Sequence, residues 1–83
     1  MIFLIEYHRE QSRLVSITPF EESERDAADE RRLELEVQLN MQRINNEVVT
    51  LDAENEQALR KTHRRYFENL EELAASASLK PGK

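Results

Sequence analysis

Apolar positions follow two different rhythms along these 83 residues, and the changes of rhythm divide the chain. Ile2 to Tyr7 (IFLIEY) is β-branched and aromatic, with apolar side chains on both faces. That is the pattern of a strand covered on two sides. His8 to Arg13 (HREQSR) is polar and turn-like, after which Leu14 to Phe20 (LVSITPF) returns to strand composition. Two such runs across a short polar loop predict an antiparallel hairpin.

Thr18-Pro19-Phe20-Glu21 has the form of a capping box with proline at the first helical position, and Ser23 to Asp26 offers a second start one turn later. The helix that begins there runs through ERDAADERR, with Glu22, Glu24 and Asp26 at the positive end of its dipole. Leu33 to Met41 (LELEVQLNM) then alternates apolar and polar residues in strict period two, which taken alone reads as a strand. Three features oppose that reading. Leu, Glu, Gln and Met favour helices, only Val37 is β-branched, and no Gly, Pro or Asn separates this stretch from the helix before it. Leu33, Val37, Met41 and Ile44 also form one helical stripe, with Leu35 and Leu39 on a second face. We therefore expect helix through this segment.

Asn45-Asn46 marks a stop, and Glu47 to Ala53 (EVVTLDA) is a strand with polar neighbours. Asp52 or Asn55 can cap a last helix that carries Leu59, His63, Tyr66, Leu70 and Leu73 along one face. Residues 1–75 are expected to form a single domain, and 76–83, with two serines, Pro81 and Gly82, a flexible tail.

The predicted order is β-β-α-β-α, an α+β fold with a three-stranded, mainly antiparallel sheet in order 2-1-3 and two helices on one face. A strand at 33–41 would instead give β-β-α-β-β-α. The strand-helix order resembles part of a ferredoxin-like fold in topology alone, which implies no function. Ile2, Phe3, Leu4, Ile5, Val48, Val49 and Leu51 are the expected sheet core, with Leu59, Tyr66, Phe67 and Leu70 as helix cover. Such a sandwich leaves two open edges and one bare sheet face, which a second copy of the chain would cover.

A chain this short buries only about 60 to 65 % of the surface its unfolded form exposes. With 39 % hydrophobic and 35 % charged residues it has little core to spare. It contains no cysteine, which removes disulfides and thiolate metal sites and favours a cytoplasmic setting. The apolar run Met1 to Ile5 ends at Glu6, too short for a signal peptide or a membrane span, so no membrane partner is expected.

The net charge of −5 conceals an uneven distribution. Residues 21–56 hold twelve carboxylates against four cations, whereas residues 57–67 hold four cations and no carboxylate. Arg60, Lys61, Arg64 and Arg65 are expected on the outer side of the last helix, where with His63 and Tyr66 they form the candidate binding site. Glu56 four residues before Arg60, and Glu68 after Arg64 and Arg65, also fit the ordinary ion pairing of a solvated helix. His63 could titrate near neutral pH one turn from the Tyr66 hydroxyl, but histidine on an apolar helix face is more often a hydrogen-bonded packing residue. His8 is the one other histidine, and no spacing suggests a metal site. Asp52 and Glu54 at a strand end resemble an α/β acid pair, although Asp52 serves equally as a cap. The sole glycine is Gly82, so there is no phosphate-binding loop, and no serine sits in a nucleophile elbow.

From the residues alone, the leading expectation is a non-enzymatic protein-interaction module, without cofactor, that self-associates as a homodimer through an exposed strand or the apolar faces of Leu33 to Ile44. An acidic protein or an anionic ligand could dock on the basic stripe. The second expectation is nucleic-acid or anionic-ligand binding by Arg60, Lys61, Arg64 and Arg65, against the repulsion of the acidic remainder.

Overall fold

A computed structural model describes residues 1–67. Strand β1 (Ile2–His8) lies between β2 (Arg13–Phe20) and β3 (Asn46–Asp52), antiparallel to both. A single 3-10 turn (Glu22–Glu24) leads into α1 (Arg25–Met41); α2 (Glu56–Thr62) follows β3, and a second 3-10 turn covers Arg64–Tyr66. The α+β class and the 2-1-3 order are those expected from the sequence. The expected extension of the last helix through Leu70 and Leu73, and the tail at 76–83, lie outside the described residues.

Ile2, Phe3, Leu4, Ile5 and Tyr7 of β1 are all buried, so both faces of this strand are covered. The register shows by what. Phe3, Ile5 and Tyr7 stand opposite Leu51, Val49 and Glu47 on one side and Pro19, Ile17 and Leu14 on the other, all on one pleat face. That face forms the main core with Leu59 of α2 and with Tyr66 and Phe67. Ile2 and Leu4 point the other way, beside Phe20, Thr18, Asp52 and Thr50. Helix α1 lies against β1 and β3, and its buried residues Ala28 and Leu39 stand apart from the main core. An ion pair of 2.8 Å from Arg25 to Asp52 fastens the start of α1 to the same face.

The expected placement of both helices on one face is therefore corrected: α1 and α2 sit on opposite faces. The cause is β1 itself, whose two-sided apolar content requires cover twice, and no face of β1 is left bare.

Period two at Leu33 to Met41 turns out to be compatible with helix in a specific way. A step of two residues rotates about 200° on a helix, so alternating apolar residues fall on opposite sides. Leu35 and Leu39 face inward, half-buried and buried, while Leu33, Val37 and Met41 face solvent.

Thr18, Pro19 and Phe20 remain in β2, so the expected capping box at Thr18 moves one turn on. There the Glu21 N–H donates to Glu24 Oε1 at 2.8 Å. Pro19 costs little on an edge strand, which explains its place in β2. The register slips between Glu6 and Tyr7, leaving Val15 as the extra residue of a bulge. Asn55 rather than Asp52 caps α2, its side chain accepting from the Ala58 N–H at 2.8 Å.

The end of α1 is closed by two backbone bonds, Arg43 N–H to Asn40 O (3.1 Å) and Ile44 N–H to Leu39 O (2.8 Å). This is a Schellman closure, and it places Arg43 at φ 58° where glycine is favoured. Ile44, expected to continue the helical stripe of Leu33, Val37 and Met41, lies beyond the helix end, where it is 40 % exposed and lines a hollow with Leu39 and Val48. Replacing Arg43 by glycine relieves the left-handed strain at some entropic cost. Arg43→Gly should raise stability by about 0.5–1 kcal/mol, read as a higher urea midpoint at unchanged slope.

Candidate functional site

The six residues singled out from the sequence are divided by a break in the helix. Helix α2 ends at Thr62, and His63, at φ −125° and ψ 55°, leads into the 3-10 turn. The expectation of one continuous helix through Tyr66 is thus corrected. Locally, the Thr62 hydroxyl turns back to the carbonyls of Ala58 (3.1 Å) and Leu59 (3.3 Å) and lies 2.9 Å from His63 Nδ1, a competition that weakens helix continuation. Beyond the break, long-range contacts take over.

Those contacts converge on Glu47, at the start of β3. Its carboxylate accepts from Arg65 Nη2 at 2.5 and 2.6 Å and from the Tyr66 hydroxyl, and Arg9 Nε lies 3.5 Å away. The Arg65 guanidinium also sits over Tyr66 (4.5 Å) and Tyr7 (5.7 Å), and the two tyrosine rings meet edge to face at 5.2 Å. Burial alone would push the Glu47 carboxyl up. Hydrogen bonds from Arg65 and Tyr66 and the charges of Arg65 and Arg9 outweigh it and hold the carboxyl below its ordinary value. Burial, then the bond to Glu47, pushes the Tyr66 hydroxyl up. The Arg65 guanidinium is held more firmly protonated by Glu47 and Tyr66. Together these groups clasp the last turn to the sheet.

Arg60 is likewise engaged. It pairs with Glu56 at 2.8 Å, the i, i+4 contact expected from the sequence, and stacks 5.0 Å over the buried Phe67 ring. Lys61 and Arg64 are exposed and have no ion-pair partner among the described residues. His63 is half-buried beside Thr62. The expected pairing of Arg64 and Arg65 with Glu68 lies outside the described residues. The structure therefore does not assemble the six residues into one free basic stripe: two cations are committed to packing and two face solvent.

The partners Arg9, Tyr7 and Glu47 were not foreseen, because their proximity depends on strand register. Tyr7 and Glu47 are direct partners across β1 and β3, a pairing that no spacing within one element announces.

A different surface stands out on α1. Leu33 and Val37 are each 55 % exposed and Met41 80 %, at i, i+4 and i+8, roughly opposite the buried side of the helix. Leu33 and Val37 join Glu30, Glu34 and Gln38 around a shallow open depression. Asp26, Asp29, Glu30 and Glu34 lie on this outward half, while Arg31 and Arg32 pair along the helix with Glu34 and Glu36.

Comparison of the chain with family models, with curated proteins and with solved structures finds no match. Among the described residues no group of three or more His, Asp or Glu is placed to hold a metal ion. No helix among them is long and apolar enough to cross a membrane.

The clasp has a pH signature. A depressed Glu47 pKa contributes stability that is present above the unfolded carboxyl value, near 4.3, and is lost as pH falls through the folded value. Glu47→Gln should cost about 1–2 kcal/mol at pH 7 and progressively less as pH falls through the folded value. The check is urea unfolding over a pH series from neutral into the acid range, and a loss that stays the same at every pH would refute the assignment.

Proposed function

We propose that the chain is a small, non-enzymatic interaction module that self-associates, with the outer side of α1 as its working surface. The observation that carries this reading is the apolar stripe Leu33, Val37 and Met41, left in water by a fold that fully buries Ile5, Leu59 and Phe67. Single exposed apolar residues are ordinary, but three in a row on one helix face make a patch whose burial is favourable. The driving force is release of water from that patch, and the surrounding carboxylates restrict which surfaces can approach. The assembled form we assign is a homodimer, in the cytoplasm, the compartment that suits a chain without cysteine.

A second reading has one observation in its favour. Lys61 and Arg64 face solvent without ion-pair partners among the described residues, which would let them hold an anion or a nucleic-acid phosphate. Two cations supply a small electrostatic contribution against a net charge of −5. Arg60 and Arg65, held by Glu56 and Glu47, add little to it.

Sedimentation velocity over a dilution series separates the two. The module reading expects a dimer fraction that grows with concentration and is abolished by Val37→Glu, while Lys61→Glu/Arg64→Glu leaves it unchanged. A wild-type chain that stays monomeric to near-millimolar concentration overturns it. The anion reading expects instead that heparin binds, that binding falls steeply with added salt, and that the Lys61/Arg64 double variant loses it.

A further inference from the structure

We infer that two copies meet through α1 in antiparallel orientation, with Val37 on the twofold axis. This inference rests on the self-association reading above and specifies its geometry. The stripe is symmetric about Val37: Leu33 lies four residues before it and Met41 four after. An antiparallel pair centred there sets Leu33 of each copy against Met41 of the other and Val37 against itself. Every apolar side chain of the stripe then gains an apolar partner, as a closed twofold contact requires.

Charge selects this direction over the parallel one. On the outward half of α1 the carboxylates Asp26, Asp29, Glu30 and Glu34 precede or flank the first part of the stripe, whereas Gln38 and Asn40 flank its end. In a parallel pair each carboxylate would approach its own copy, a repulsive arrangement along the whole first half. In the antiparallel pair Glu34 comes opposite Asn40, and Asp26, Asp29 and Glu30 lie beyond the Met41 end of the partner helix, so no carboxylate of one α1 faces a carboxylate of the other. Antiparallel helices also align their dipoles favourably.

The sheet edges offer less to a second copy. The edge at β2 carries the Val15 bulge and Pro19, both of which hinder strand addition. The edge at β3 is regular, but Glu47 at its start is already tied to Arg9, Arg65 and Tyr66. The α1 surface has no such commitments at Leu33, Val37 or Met41. Its size also sets a limit. Three side chains with the stems beside them cover on the order of 400 Å² per copy, about half of a standard interface, so the dimer is weak and concentration-dependent.

The chain has no cysteine, so single cysteines on α1 report the geometry directly. Val37→Cys, Leu33→Cys and Met41→Cys are each oxidised with a glutathione redox buffer at high protein concentration, after circular dichroism has confirmed that the reduced variants are folded. Val37→Cys alone should form a covalent dimer. Leu33→Cys and Met41→Cys should each form several-fold less alone, yet give a dimer when mixed.

Self-crosslinking of Leu33→Cys and Met41→Cys as fast as Val37→Cys would mean a parallel or unspecific encounter and would overturn the inference. Failure of Val37→Cys to crosslink while sedimentation still detects a dimer would overturn the geometry alone; efficient crosslinking of Val49→Cys would then locate the contact at the β3 edge. A chain that neither crosslinks nor sediments as a dimer removes the self-association reading as well.

Discussion

Strand β1 is the constraint from which the rest follows. It is the central strand and it is apolar on both faces, so Ile2 and Leu4 need cover on one side while Phe3, Ile5 and Tyr7 need it on the other. The described residues offer two α-helices, and each is drawn to a different face. Burial of a large aliphatic or aromatic side chain contributes about 1.5–3 kcal/mol. Satisfying both faces of β1 therefore outweighs stacking the helices side by side.

The same division explains why the two covering elements differ. The second segment is short and broken, and it is positioned by the Glu47 clasp as much as by packing: Arg65 and Tyr66 reach across to β3 while Phe67 closes the core. Helix α1 is longer and presents two apolar sides. The sheet accepts the side with Ala28, Leu35 and Leu39, and Leu33, Val37 and Met41 remain outside. The working surface we propose is thus the remainder of a helix with more apolar content than its own sheet can use. The basic residues near the C-terminal end of the described chain, conspicuous in the sequence, are in part internal fasteners.

What could be read from the sequence was whatever depends on local pattern. The two-sided apolar run at Ile2 to Ile5 identified the central strand, and helix-favouring residues outweighed the alternation at Leu33 to Met41. The pair of Glu56 with Arg60 followed from spacing. What could not be read depends on register and on distant contacts. Whether α1 and α2 share a face is decided by which side chains of β1 each covers. The break at His63 combines a local bond from Thr62 with the pull of Glu47, sixteen residues away in sequence. Proline at position 19 suited a first helical turn and an edge strand equally, and pairing with Phe3 placed it in the strand. The candidate site changed for the same reason: charge counts cannot tell a free arginine from one already held by a carboxylate on another element.

The central claim is that α1 keeps one apolar side available for a second copy. Amide chemical shifts recorded by NMR over a wide range of protein concentration test it residue by residue. The account predicts progressive changes concentrated on Glu30 to Met41 and little change at Arg60 to Arg65 or along β2. Shifts that are independent of concentration, or that move along β3 while Leu33, Val37 and Met41 stay still, would contradict it.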